Sequence, residues 1–437
     1  MPARIRRILI ASFVAATAAT CCVSGLAIQA PPPVRAEAVH PLDPLSREEL
    51  AAVSRLLRAS GRVSAGTRYP LIALREPPKE DVLTLRPGAA VRREAEVVAY
   101  DRDRNRTFEG VVDLRAGRVI EWNERPGIQP SLTLDDFRAA DQIVRADPRW
   151  QEALRRRGIA DSENVSVDSW PYGGPAPDGS RSRLVRAVSH YGGGESNSLS
   201  RPVEGIVAEV DLNVRKVVRF HDTGIVPIAP AAAEYRRNLI GPLRPALSPL
   251  RIGQPGGPGF EVRGSKVRWD RWRFRFSRHP REGLVLHQVG WQDGTRLRPI
   301  LYRASLAEMA VPYADPSSNW SFRAVFDAGE NGLGWMAMPL EPGRDAPENA
   351  VFFPAVLANH SGEPYESPRV VALYERDGGL LWKHYDLGSQ ENESRRGRQL
   401  VLGIVSTVGN YDYGTHWIFH QDGTLEAGLE LTGIMTA

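Results

Sequence analysis

Cysteine is nearly absent from this 437-residue chain: the only two, Cys21 and Cys22, stand side by side close to the N-terminus. A protein of this size without spaced cysteines is held by its core, not by a disulfide framework. Histidine is sparse as well, and none of the nine forms an H-x-H pair. His416 and His420 come closest, but four positions along a strand span about 13 Å, too far to chelate one ion. An excess of charge of one sign is also missing. The formal net charge is +4, and Arg4, Arg6, Arg7 and Arg35 against Glu37 put three of those charges in residues 1–38. The nearly neutral remainder offers no electrostatic footprint for a nucleic-acid partner. No G-x-S-x-G, P-loop, H-E-x-x-H or strand-linked G-x-G-x-x-G occurs, so the common hydrolase, nucleotide and zinc-protease templates find no support.

What is present suffices for packed cores. Hydrophobic residues make up 42% of the chain and ten residues are Trp, and the length corresponds to about three domains at roughly 150 residues each. Residues 1–38 read as a signal peptide. Arg4, Arg6 and Arg7 form a positive n-region, Ile8 to Ala27 an apolar run, and Ala36-Glu37-Ala38 an A-x-A cleavage site. The run approaches spanning length, so an uncleaved anchor is the other reading. Its Ala/Thr/Ser composition and the A-x-A site favour cleavage and a secreted, extracytoplasmic chain. Both cysteines then leave with the leader.

Two similar modules follow, over 43–128 and 131–225. The first opens on the capping box Ser46-Arg-Glu-Glu49 and an amphipathic helix through Leu50, Val53, Leu56 and Leu57; strand patterns come next at Glu96–Tyr100 and Val111–Trp122. The second opens on Thr133-Leu-Asp-Asp136, with a helix through Phe137, Ala140 and Ile143, then strands near Val165–Trp170, Leu184–Tyr191 and Ile206–Phe220. Val112-Asp113-Leu114 and Val210-Asp211-Leu212 fall at equivalent late positions, as a duplicated helix-plus-antiparallel-sheet unit requires. Residues 226–259, with seven prolines from Pro227 to Pro258, make an extended connector. From 260 to 437 the texture is all strand, including Val267–Phe276, Leu284–Trp291, Ala350–Leu357, Leu400–Val408 and His416–His420. The fold class is therefore α+β: two small helix-plus-sheet domains, then an incomplete β-sandwich that stops in strand rhythm with an uncovered edge.

One string concentrates chemistry: Thr407-Val408-Gly409-Asn410-Tyr411-Asp412-Tyr413. Upstream lie Arg281–His287, Arg298–Glu308, Met309-Ala-Val-Pro-Tyr-Ala-Asp-Pro316 and Phe326-Asp327-Ala-Gly-Glu330, with 84 positions separating Asp327 from Tyr411 and 14 separating Tyr313 from Asp327. Together these resemble the copper-containing primary amine oxidases, across essentially all of the mature sequence. The resemblance implies N2-like and N3-like small domains followed by the first part of the catalytic domain. It implies oxidative deamination of primary amines by oxygen, with copper and a self-derived topaquinone as cofactors. Tyr411 is then the modified tyrosine that forms a Schiff base with the amine, Asp327 the proton acceptor, Tyr313 a hydrogen-bond partner of the quinone oxygen, and Asn410 a residue that positions the ring. Burial against Phe326 and Trp320 is the expected source of a raised pKa at Asp327.

Three departures qualify the resemblance. Val325 stands where relatives often carry an aromatic gate. Residues 331–410 contain no Cys, so a disulfide that many members have in this domain is absent. The family's copper ligands, an H-x-H pair and a later His, follow the quinone motif, and this chain holds none, so its metal ligands are expected to number zero and the chain alone to be inactive. A homodimer is implied where the catalytic domain is whole. The competing reading is a non-catalytic exported binding module on the same scaffold.

Overall fold

In the computed structural model, residues 40–435 are described, apart from 87, 175, 177, 232–233, 246, 249–252 and 318. The signal-peptide reading of 1–38, with Cys21 and Cys22, lies outside them.

Two capping boxes start the two small modules. Ser46 Oγ accepts the Glu49 N–H at 3.2 Å while Glu49 accepts the Ser46 N–H at 2.8 Å, which launches α1 (Arg47–Ala59). Leu50, Val53 and Leu57 lie on its buried face. They pack on a four-stranded antiparallel meander of β1 (Thr67–Leu74), β2 (Glu94–Asp101), β3 (Arg106–Asp113) and β4 (Arg118–Glu124), with the short α2 (Lys79–Leu83) between β1 and β2. In the second module Asp136 accepts both the N–H and the hydroxyl of Thr133 at 2.8 Å, capping α3 (Leu134–Ala146). Then come α4 (Pro148–Arg156) and a second meander, β5 (Val165–Pro171), β6 (Leu184–Tyr191), β7 (Ile206–Asp211) and β8 (Lys216–Asp222). The repeated V-D-L strings serve one purpose. Asp113 Oδ1 accepts two backbone N–H groups in the turn after β3, and Asp211 Oδ1 does the same after β7.

Sequence periodicity passed over three of these elements, β1, α2 and α4. β1 contains Pro70, which weakens a strand pattern; the proline sits on the edge strand where the pairing register shifts between Arg68 and Leu71, so its missing N–H costs no ladder bond. α4 starts directly after α3, with Asp147 as its N-cap and Pro148 in its first turn.

The third region is a sandwich of two five-stranded antiparallel sheets. One holds β9 (Phe260–Arg263), β10 (Lys266–Trp269), β11 (Trp272–His279), β12 (Gly283–Asp293) and β13 (Arg296–Ala304). A small ribbon of β14 (Ala310–Pro312) and β15 (Ala324–Phe326) follows, and the other large sheet holds β16 (Val351–Ala358), β17 (Pro364–Tyr385), β18 (Asn392–Val408), β19 (Tyr411–His420) and β20 (Leu425–Gly433). Alternate residues of both sheets share one core, in which Trp272, Phe274 and Phe276 of β11 meet Phe353 and Phe419. β17 and β18 are longer than their apolar patterns suggest, because bulges near Asp377 and Leu380 carry the ladder onward into an exposed hairpin. At the end of the connector Glu375 accepts from Gln254 and Gly259 at 2.6 and 2.7 Å.

Candidate active site

β19 opens with Tyr411, and the alternation of a strand puts Tyr413 on the same side and Asp412 on the other. The Tyr411 and Tyr413 rings stack with centroids 6.3 Å apart, while Asp412 accepts from Thr407 Oγ1 at 2.6 Å. The β14–β15 ribbon delivers the rest. Val311 pairs with Val325, and the two strands hold Tyr313 at one end and Asp327 at the other. Tyr313 donates its hydroxyl to Tyr411 Oη at 3.0 Å. Asp327 begins a π-helical turn, Asp327–Asn331, and its side chain is 3% exposed. Tyr313, Val325, Asp327, Asn410 and Tyr411 all line one cavity of about 550 Å³. The buried Asn410 Nδ2 has no hydrogen-bond partner among the described residues.

Burial raises the Asp327 carboxyl above the usual range, against hydrogen bonds from Tyr413 and Asn331 that favour its ionised form. The burying groups are not those the sequence suggested. Phe326 is 54% exposed and points away. Apolar cover in this region comes from Ala328, Leu333 and Tyr413 with Met309 and Leu306 beside them. Trp320 instead lies tilted against Tyr313, with ring centroids 5.3 Å apart, and under the Arg323 guanidinium, at 3.7 Å.

An acid whose folded pKa is raised binds protons more readily folded than unfolded, so its stability contribution falls as pH rises through the ordinary carboxylate range and the ionised form weighs against folding above it. Asp327→Asn should therefore melt at a higher temperature than the parent at pH 7.5, and this gain should shrink as pH falls below 4. Calorimetry at the two pH values checks it; equal gains at both would contradict a pKa-based cost.

The second module supplies a wall that local sequence did not reveal. Asp168, Trp170 and His190 share one face of the β5–β6 pair and line the same cavity. Trp170 Nε1 donates to Asp168 Oδ2 at 2.7 Å, and its ring meets that of Tyr313 edge-on at 5.8 Å. Arg323, 2% exposed, lies near both. The contacts with Tyr313 and Arg323 join residues more than a hundred positions apart, and only the strand pattern of β5 and β6 was readable in advance.

A quinone derived from Tyr411 fits this setting: the ring opens on free volume, Tyr313 already donates at 3.0 Å, and a buried amide nitrogen lacks an acceptor. The described residues do not by themselves offer a setting for copper. Among the described residues no group of three or more His, Cys, Asp or Glu is arranged to hold a metal. His416 sits 3.4 Å from Glu430, and His420 is engaged by Gln399 and Glu426.

The comparisons with known proteins agree with the geometry. The family model for the copper amine oxidase enzyme domain matches residues 261–437, that for the copper amine oxidase N3 domain 135–238, and that for the AGAO-like N2 domain 46–121. A primary amine oxidase of Arthrobacter sp. (strain P1) is 38% identical over 399 residues, covering 91% of this chain and 61% of the relative. One from Klebsiella aerogenes is 33% identical over 404 residues, covering 90% and 52%. The crystal structure of a copper-containing benzylamine oxidase from Hansenula polymorpha superposes with a TM-score of 0.81 at 26% identity, over 91% of this chain and 65% of that one. This chain belongs to the copper amine oxidase family. It spans about three fifths of the length of the Arthrobacter relative.

Proposed function

We propose that this chain is the amine-binding, base-bearing part of a primary-amine oxidase, a catalyst that turns a primary amine, oxygen and water into aldehyde, ammonia and hydrogen peroxide. The observation that carries this reading is the shared cavity of Asp327 and Tyr411. Copper and topaquinone are the cofactors it requires; a quinone at position 411 supplies an electrophilic carbonyl and a sink for an electron pair.

The chain's own residues account for the proton chemistry. Asp327 is suited to remove the proton α to nitrogen, because a carboxylate with a raised pKa is a stronger base than one in water. Tyr413 and Asn331 hold the carboxylate in place. Tyr313 keeps an O–H directed at the oxygen of residue 411. Val311 and Val325 line the cavity and give it apolar surface that suits the carbon chain of an amine. Val325 in place of an aromatic gate favours wider access there.

The test uses the chain as it is and a fusion to the remainder of the Arthrobacter relative. Given copper, oxygen and benzylamine, the 437-residue chain should release no peroxide and the fusion should release it. Peroxide from the chain alone would refute the need for ligands beyond the described residues. A folded, copper-loaded fusion that stays silent would instead support a non-catalytic exported binding module. Export through residues 1–38 belongs to the same proposal, and mass spectrometry of the exported N-terminus tests it: a chain beginning after Ala38 supports cleavage, an intact leader refutes it. A homodimer belongs to it too, supported by the exposed Leu380, Leu381, Trp382 and Leu387 on the β17–β18 hairpin; a fusion that sediments as a monomer would remove it.

A further inference from the structure

Glu308 stands behind the turn that carries Asp327, between β13 and β14. Its Oε1 accepts three backbone N–H groups, from Met309 at 2.9 Å, Ala328 at 3.0 Å and Gly329 at 3.1 Å. Its Oε2 meets Arg281 Nη2 at 3.1 Å. Asp327 N–H in turn donates to Met309 O at 2.9 Å, so residue 309 is tied to the base and to Glu308 together. The fit is close: a Cβ added at Gly329 would lie 2.8 Å from Glu308 Oε2. The first N–H groups of a helical turn have no acceptor within the turn, and here one carboxylate provides it.

We propose that Glu308 is a positioning residue for the base: its carboxylate is the template on which the 327–331 turn closes, and it sets a like charge beside Asp327. The functional meaning rests on the reading of Asp327 as proton acceptor. Burial works against a charge at Glu308, but the backbone N–H groups and Arg281 hold its carboxyl below the usual range, so it is anionic at neutral pH. The other groups facing Asp327 are Tyr413 from β19 and, on the same turn, Asn331 and Glu330, whose own carboxyl is raised by burial. Arg281 is drawn toward Glu308, at 3.1 Å. A like charge held this close keeps a carboxyl protonated to higher pH.

Carbon-13 labelling of Asp Cγ, with Asp327→Asn to identify the resonance, reads this ionisation directly and needs neither copper nor turnover. Glu308→Gln keeps an oxygen acceptor for the three N–H groups and loses the charge. Hydrogen exchange at Ala328 and Gly329 should stay within about threefold of the parent, while Asp327 titrates at lower pH. Glu308→Ala removes the acceptor, and exchange at those amides should rise by about tenfold or more. An unmoved Asp327 titration in the Gln variant overturns the proposal, as does unchanged exchange in the Ala variant. Calorimetric binding of benzylammonium to the parent and to Asp327→Asn keeps the two readings apart: equal binding would remove Asp327 as the group facing the amine, without touching what the Glu308 variants report.

Discussion

Asp327→Asn in the copper-competent fusion should lower kcat for benzylamine by about 10²–10⁴-fold, the range expected when a positioned general base is lost. Asn is nearly isosteric, and its carbonyl oxygen still accepts from Tyr413 and Asn331, the partners of the native carboxylate. The Tyr313–Tyr411 hydrogen bond involves no atom of residue 327. The change therefore removes the carboxylate's charge and proton-accepting capacity while keeping its shape, and KM should move less than kcat. Steady-state peroxide release decides it. A fall below about tenfold would place the base elsewhere in the cavity.

Phe419→Ala should destabilise the chain by about 3–5 kcal/mol, the cost typical of truncating a buried aromatic ring. Phe419 is fully buried on β19, stacks on Phe274 of the facing sheet at 4.2 Å and meets Trp272 edge-on at 5.3 Å. Trp272 is itself anchored by a 2.7 Å hydrogen bond from its indole N–H to His420 O, so the void cannot close by a simple shift of that ring. The same strand begins at Tyr411, which ties the packing of the sandwich to the placement of that ring. Urea titration of the 437-residue chain measures the loss, and a change under about 1 kcal/mol would mean the two sheets do not share this core.

Where side chains act through their neighbours in sequence, the chain was readable in advance. Ser46 with Glu49 and Thr133 with Asp136 close capping boxes by local hydrogen bonds, and Asp113 and Asp211 close turns in the same way. The alternation of Tyr411 and Tyr413 about Asp412 follows from strand geometry alone. Burial of Asp327 was a matter of tertiary packing: the residue next to it, Phe326, turns to solvent, and cover comes from Tyr413 and Leu333, more distant in sequence. Asp168, Trp170 and His190 reach the cavity only because a second module folds against the sandwich, and nothing local marks them. Pro70 disguised β1 for a related reason, since edge position and a bulge decide whether a proline is tolerated.

The proposed chemistry depends on Tyr411, among the linked tyrosines 313, 411 and 413, being the ring that becomes reactive. Treating the copper-loaded fusion with phenylhydrazine and locating the adduct by peptide mass spectrometry addresses this without reference to turnover. A single adduct is expected on the peptide carrying Asn410-Tyr411-Asp412, and none in Tyr411→Phe. An adduct on Tyr313 or Tyr413, or one that survives Tyr411→Phe, would contradict it.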